Sequence, residues 1–114
     1  MTRSDDQRLD DIVAVIGEMA EMVGRGRPAF DRDIALRRGL ERCLEVLGEA
    51  AKTLSHEVRA SIGDVPWQNV IRLRDLLSHH YHRVEADQVW VTAEADVPRL
   101  AAPIDVWRER RGRA

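Results

Sequence analysis

The side chains best suited to chemistry are concentrated in residues 72–83 of the 114-residue chain. Three of the four histidines and the single tyrosine lie between residues 79 and 82. An imidazole can move a proton near neutral pH, and a guanidinium can neutralise a phosphate that gains charge in a transition state. Arg74 and His79 could supply these two groups for RNA cleavage, in which a ribose 2′-hydroxyl attacks the adjacent phosphorus and no metal is obligatory.

Two other interpretations of this stretch stay open on the residues alone. His79 and His82 have the i, i+3 spacing of a pair of metal ligands, and Glu85 or Asp87 could join them, although the spacing fixes no third ligand. Alternatively, the stretch is the end of a helix, where imidazoles interact favourably with the last carbonyl groups and Tyr81 packs over the last turn. Only the first interpretation assigns catalysis to these residues.

The positions of the candidate residues on an ideal helix limit how they can cooperate. Arg74 and Tyr81 are seven residues apart and therefore share a face of such a helix. Arg74 and His79 point about 140° apart, at roughly 100° per residue. A joint role for Arg74 and His79 requires long side chains that converge over a cleft, or a helix that loosens near His79.

The spacing of apolar residues predicts the helices that must position this stretch. A first helix is expected over about residues 5–23, behind a capping box formed by Ser4 and Gln7. The three- and four-residue steps of the next apolar stripe predict a long second helix over about residues 31–59. Pro66 is expected in the first turn of the third helix, which carries the candidate residues.

Small residues and prolines predict two details of the packing. Gly48, Ala50 and Ala51 would let another helix approach the second helix closely. The fourth segment contains two prolines within its apolar pattern. Because a proline in a helix interior clashes with the preceding turn, a kink or a break is expected near Val97.

The fold predicted from these elements is all-α. No period-two strand pattern appears, so we expect a single domain over residues 1–114, an up-and-down bundle of four to five helices with a frayed basic tail over about 108–114. A composition of 44% hydrophobic, 33% charged and 4% aromatic residues is typical of such a bundle, whose core is aliphatic. Three tryptophans are expected in the core rather than in base stacking: Trp67, Trp90 and Trp107.

Charge and cysteine content exclude several classes of protein. Eighteen Lys and Arg residues against 20 Asp and Glu residues give a net charge of −2, which argues against a general nucleic-acid coat protein. Cys43 is the single cysteine, so an intrachain disulfide and a multi-cysteine metal site are excluded and a reducing compartment is expected. No apolar run follows a basic stretch near Met1, and no segment approaches about 18 continuous apolar residues. The chain is therefore expected to be cytoplasmic, without a membrane partner.

The stretch from Arg74 to Tyr81 resembles the Arg-(polar)-x3-His-x-Tyr motif of the HEPN-domain ribonuclease toxins of the HepT type. Other stretches resemble that family in the same order along the chain. These are Leu47-Gly48-Glu49-Ala50, Val65-Pro66-Trp67 followed by Ile71, and Val84 to Trp90 together with Val97 to Leu100. The resemblance therefore spans about residues 35–100 rather than the short motif alone.

The resemblance implies an activity and a set of site residues. Arg74 would contact the scissile phosphate, and His79 would act as general base or acid in metal-independent RNA cleavage that needs no cofactor. Asp75 stands where the family most often has Asn, so its carboxylate would either orient His79 or weaken phosphate binding. Family members are commonly homodimers whose two motifs face a shared cleft.

The resemblance also implies a partner. Tyr81 matches the tyrosine that a nucleotidyltransferase antitoxin of the MNT type modifies by transferring AMP onto the hydroxyl. If Tyr81 and Arg74 share a helix face, the anionic group could pair with Arg74 and block RNA. Two alternatives remain: a non-catalytic companion or substrate-binding module of a nucleotidyltransferase, and a purely structural dimerisation bundle.

The remaining polar residues allow simpler interpretations. Glu49 either braces Arg74 or is solvated like most glutamates on long helices. Arg25 and Arg27 could touch RNA phosphates, but a mobile basic loop is the default interpretation. No chemistry is assigned to His56.

Overall fold

The computed structural model describes residues 4–63 and 65–112, and these residues form helices and turns without a strand. The expected all-α fold is confirmed, but the described residues form seven α-helices rather than four to five, because three short helices of six or seven residues are added. In chain order the α-helices are α1 (Asp5–Val23), α2 (Arg27–Arg32), α3 (Ile34–Thr53), α4 (His56–Ile62), α5 (Trp67–His79), α6 (Ala86–Val91) and α7 (Ala101–Gly112).

The first helix begins and ends where the sequence predicts. Ser4 Oγ accepts a hydrogen bond from the backbone N–H of Gln7 at 3.1 Å, and Gln7 Oε1 accepts one from the backbone N–H of Ser4 at 2.9 Å. These reciprocal bonds satisfy two of the N–H groups that the start of a helix leaves unpaired. The helix packs along α3 and buries Leu9, Ile12, Val15 and Met19.

The single helix expected over about residues 31–59 is wrong in its bounds, because α2, α3 and α4 divide this region. Asp33 Oδ1 accepts a hydrogen bond from the backbone N–H of Ala35 at 3.0 Å and caps α3. Ser55 Oγ accepts one from the backbone N–H of Val58 at 3.2 Å and caps α4. Both capping residues have a non-helical backbone. Apolar periodicity does not detect them, because the apolar residues on either side continue the same spacing.

Close packing between α3 and α5 depends on Gly48. A Cβ on Gly48 would collide with the Cβ of Arg74, and it would lie 2.7 Å from the Cγ of Arg74 and 3.3 Å from the carbonyl oxygen of Val70. Gly48, Ala50 and Ala51 are all buried. The expected close approach of another helix is confirmed, and that helix is the one that carries Arg74.

The expected kink near Val97 is confirmed as a change of helix type. After α6 the chain forms a π-helical turn over Thr92–Asp96 and a 3-10 turn over Val97–Leu100 before α7 begins. Pro98 lies in the first turn of the 3-10 segment. A proline lacks the N–H that a regular α-helix needs, and these altered hydrogen-bonding patterns accommodate it.

The basic end of the chain differs from the frayed tail expected from Arg108 onward. The helix α7 continues past Arg108 to the last described residues. Arg108 Nη2 lies 2.8 Å from Asp10 Oδ1, and Arg111 Nη1 lies 2.8 Å from Asp6 Oδ1. These ion pairs attach the end of α7 to α1, while residues 113–114 of the expected tail lie outside the described residues.

The tryptophans pack with the core as expected. Trp67 and Trp90 are buried, and the Trp90 ring lies 5.2 Å from the ring of Phe30, centroid to centroid. Trp107 is partly buried against the same core. Across the part of the chain that the structure describes, none of the helices is long and apolar enough to span a bilayer.

Candidate active site

Arg74 lies on the side of α5 that faces α3, and two carboxylates engage its guanidinium. Nη2 lies 2.8 Å from Glu49 Oε2, and Nη1 donates to Asp75 Oδ1 at 3.0 Å. Glu49 therefore braces Arg74, and its side chain is also 54% exposed to solvent, so both features considered for it are present. The Nε of Arg74 is buried and has no hydrogen-bond partner within residues 4–63 and 65–112.

Asp75 connects Arg74 to a second cation on α3. Its Oδ1 also accepts a hydrogen bond from Lys52 Nζ at 3.1 Å. Burial acts to raise the pKa of the Asp75 carboxyl, but the hydrogen bonds from Lys52 and Arg74 outweigh it and hold the pKa below its ordinary value. Asp75 is thus a persistent anion beside the Arg74 guanidinium at neutral pH.

His79 is the last residue of α5, and its imidazole is exposed. It lines a shallow cleft with Asp75, Arg72 and His80, among others. Arg74 lines a different cleft, together with residues such as Glu49. A single copy of the chain therefore does not bring Arg74 and His79 into the same cleft, as their angular separation on α5 predicts.

Tyr81 does not share a helix face with Arg74, so that expectation is wrong. The helix α5 ends at His79, and His80, with φ −139° and ψ 45°, leads the chain into a 3-10 turn over Tyr81–Arg83. A helix-face argument fails once the helix has ended. The Tyr81 hydroxyl instead reaches α3, where it donates to Glu41 Oε1 at 2.7 Å.

Glu41 is the site residue that the sequence reasoning missed. Its carboxylate is buried, with 3% of the residue exposed. Besides Tyr81, it binds Arg37 Nε at 3.2 Å through Oε2 and Arg38 Nη1 at 2.8 Å through Oε1. The available signal was a pair of arginines three and four residues before a glutamate beside the apolar stripe, since such pairs meet on a helix.

The phenol of Tyr81 lies between α3 and solvent. Tyr81 is 45% exposed as a residue, and the Arg38 guanidinium carbon lies 5.4 Å from the centroid of its ring. Partial burial and the hydrogen bond to Glu41 both raise the pKa of the Tyr81 hydroxyl above its ordinary value. The hydroxyl is therefore protonated and donates its hydrogen at neutral pH.

The structure also describes Arg27, Cys43 and the candidate metal ligands. Within residues 4–63 and 65–112, no three His, Cys, Asp or Glu side chains gather as metal ligands would. Arg27 is not part of a mobile loop: it begins α2 and lies 2.7 Å from Asp31 Oδ1 and 2.6 Å from Asp87 Oδ1. Cys43 is buried, and burial raises the pKa of its thiol.

Comparison with known proteins places this geometry in a family. The sequence model of the ribonuclease HepT-like family matches residues 12–106. The chain belongs to this family. The resemblance inferred from the stretch around Arg74 is thereby confirmed. Membership of a ribonuclease family also confirms the expected enzyme class, an endoribonuclease.

Individual relatives agree with the family match. The HepT-like chain is 31% identical over 111 residues to "Probable ribonuclease HepT" of Thermococcus cleftensis, covering 96% of this chain and 100% of that protein. It is 38% identical over 71 residues to a "Putative RNase" of Caldanaerobacter subterraneus, covering 62% of this chain and 63% of that protein. A "Putative RNase" of Methanocaldococcus jannaschii is 28% identical over 77 residues, covering 68% and 71%. No solved structure matches the chain significantly.

Proposed function

We propose that this HepT-like chain is a toxin that cleaves RNA without a metal ion, with Arg74 and His79 as its catalytic residues. The observation that carries the proposal is the placement of Arg74, which α3 holds through Gly48 and Glu49 at the edge of an open cleft. The family match and the RNase names of the relatives support RNA as the substrate class.

The proposed reaction is an attack within the RNA chain. The 2′-oxygen forms a bond to the adjacent phosphorus, and the bond from phosphorus to the 5′-oxygen of the next nucleotide breaks. His79 takes the proton of the 2′-hydroxyl or gives a proton to the leaving 5′-oxygen. Arg74 binds the phosphate as its charge grows, and the phosphate competes with Glu49 and Asp75 for the guanidinium.

The active form proposed here is a homodimer. Arg74 and His79 line separate clefts of one protomer. A second copy of the chain, with its motif facing the first across a shared cleft, would place four catalytic side chains around one phosphate. The arrangement would also supply local positive charge that a chain of net charge −2 otherwise lacks.

The regulator proposed for this activity is a nucleotidyltransferase antitoxin that transfers AMP onto Tyr81. The phenol oxygen forms a bond to the α-phosphorus of ATP, and the bond from the α-phosphorus to the bridging oxygen breaks. The β- and γ-phosphates leave as pyrophosphate, and the phenol proton is released. The exposure of Tyr81 supports this assignment, because an enzyme can approach the residue from solvent.

Catalysis is tested by incubating the purified chain with single-stranded RNA in the presence of a chelator. We expect cleavage by the wild-type protein and a loss of at least about a hundredfold in kcat/KM for His79→Ala and Arg74→Ala. Equal cleavage by wild type and His79→Ala would refute the assignment. An inactive wild-type protein that binds a nucleotidyltransferase would favour the alternative, a non-catalytic companion.

Modification is tested by mass spectrometry after incubation with the partner nucleotidyltransferase and ATP. Since Tyr81 is the only tyrosine, an AMP adduct on tyrosine must lie there, and Tyr81→Phe should prevent it. Inhibition of RNA cleavage without an adduct would contradict the modification and indicate steric inhibition by the partner.

A further inference from the structure

The imidazole of His79 depends on the backbone for its position. Within the described part of the chain, no hydrogen bond or ion pair holds the His79 side chain. Its backbone lies at the last position of α5, just before His80, whose N–H donates to the carbonyl oxygen of Leu76 at 2.8 Å. Whatever fixes the chain directly after α5 therefore also fixes His79.

The turn after α5 is fixed to α3 by Tyr81. Of the side chains in residues 80–84, that of Tyr81 alone forms a hydrogen bond with another described residue, through its hydroxyl to Glu41. One residue separates Tyr81 from His79. Behind the turn, Val84 is buried in the core, so the segment is held at both ends.

Glu41 is itself rigidly placed. It lies in the middle of α3, is buried, and accepts hydrogen bonds from Arg37 and Arg38 in addition to Tyr81. A buried carboxylate with three donors has few alternative positions, because losing a donor would leave a desolvated charge unpaired. The acceptor offered to Tyr81 is thus preorganised.

We propose that Glu41 is a positioning residue for the cleavage reaction: through the hydroxyl of Tyr81 it holds the turn after α5 and thereby places His79. The inference rests on the proposed role of His79. It names a residue outside the motif and gives Tyr81 a function in the unmodified protein.

The same contact explains how modification of Tyr81 would inhibit. A phosphodiester on the hydroxyl oxygen removes the hydrogen that Glu41 accepts and places a negative charge beside the Glu41 carboxylate. The two anions repel each other, so the turn leaves α3 and His79 loses its position. Arg38 lies over the Tyr81 ring and Arg37 binds the same Glu41 carboxylate, so both arginines are cations beside the modified tyrosine.

The kinetic test uses Tyr81→Phe, which keeps the ring and removes the hydroxyl. We expect kcat for RNA cleavage to fall about tenfold, the size expected for a lost hydrogen bond to a charged acceptor, with KM changed by less than about twofold.

Two further variants serve as controls. Glu41→Gln should lose less kcat than Tyr81→Phe, because its amide oxygen still accepts a hydrogen bond from Tyr81. His82→Asn lies in the same turn and should match wild type, because no other described residue forms a hydrogen bond or ion pair with the His82 side chain. A wild-type kcat in Tyr81→Phe overturns the proposal, as does a loss confined to KM.

A second measurement does not depend on activity. Hydrogen exchange of the backbone amides of His80, Arg83 and Val84 should accelerate about tenfold in Tyr81→Phe and not in His82→Asn. Unchanged exchange overturns the positioning role even if the enzyme is active. An inactive wild type, or a fully active His79→Ala, instead refutes the catalytic proposal, so the two failures are distinguishable.

Discussion

Gly48 on α3 lies directly against the Cβ of Arg74 on α5, with no room for a methyl group between them. Packing of α3 against α5 therefore sets the position of the base of the Arg74 side chain. Glu49, the next residue along α3, then contacts the guanidinium at 2.8 Å. Two neighbouring residues of one helix thus place the base and the tip of the same arginine.

We expect Gly48→Ala to destabilise the protein and to impair RNA cleavage. The new methyl group would force α3 and α5 apart at Arg74, and overpacking of this kind costs about 1–3 kcal/mol despite the better helix propensity of alanine. Urea denaturation should show the loss of stability, and kcat/KM should fall with it.

Gly17→Ala is the matched control for this substitution. Gly17 is an exposed residue of α1, and a Cβ there would meet no atom within 4 Å. Alanine should stabilise the protein by up to about 1 kcal/mol through its helix propensity, without affecting cleavage. Equal stability of the two variants would show that α3 and α5 do not pack at Gly48 as described.

Asp75→Asn is expected to strengthen RNA binding. Removing the carboxylate frees Arg74 and Lys52 from a competing anion, so KM for RNA should fall several-fold and its dependence on salt should become steeper. Asp105→Asn, an equal charge change at an exposed position of α7, is the control. A rise in KM for Asp75→Asn would mean that the carboxylate orders the cleft instead.

The titration of Tyr81 can be followed by absorbance because it is the only tyrosine. The folded protein should form phenolate above the ordinary phenol range of about pH 10, since burial and Glu41 raise the pKa. Glu41→Gln should lower this pKa toward that of the unfolded chain. An unchanged titration in Glu41→Gln would contradict the hydrogen bond between these residues.

The raised pKa of Tyr81 also predicts how stability depends on pH. Because folding favours the protonated hydroxyl, its contribution is fully present below the unfolded pKa of about 10 and is lost as pH rises through the higher folded pKa. The free energy of unfolding should therefore fall more steeply at alkaline pH in wild type than in Tyr81→Phe. Denaturation curves from about pH 9 to 11 would measure the difference.

Asp33→Ala should destabilise the protein by about 1 kcal/mol, because it removes the cap that separates α2 from α3. Asp33→Asn keeps a side-chain acceptor and should be nearly neutral. Thermal melting of both variants provides the measurement. Similar melting temperatures for the alanine and asparagine variants would show that the cap contributes little.

The sequence predicted part of the fold, because the bounds of α1 and the irregular turn near Val97 depend on local patterns. Apolar periodicity and the Ser4–Gln7 capping box gave α1 to within a residue, and the prolines located the irregular turn near Val97. Small residues around Gly48 identified the face that α5 covers. The motif residues were visible because Arg, His and Tyr are rare together in so short a stretch.

The contacts between elements could not be predicted in the same way. Placing Tyr81 on the face of Arg74 assumed that α5 continues, whereas the chain leaves the helix at His80. The role of Glu41 depends on a residue 40 positions away in sequence, and periodicity carries no information on such pairs. Long-range ion pairs likewise ordered the end of α7, which was expected to fray.

The spacing of two carboxylates on α3 matches the spacing of the two motif residues that they contact. Glu41 contacts Tyr81 and Glu49 contacts Arg74, and the eight residue steps from Glu41 to Glu49 correspond to a rise of about 12 Å along α3. Inserting one residue between them would rotate one carboxylate by about 100° relative to the other, so at most one of the two contacts could survive. The length of this interval in α3 is therefore as much a part of the site as the residues of the motif.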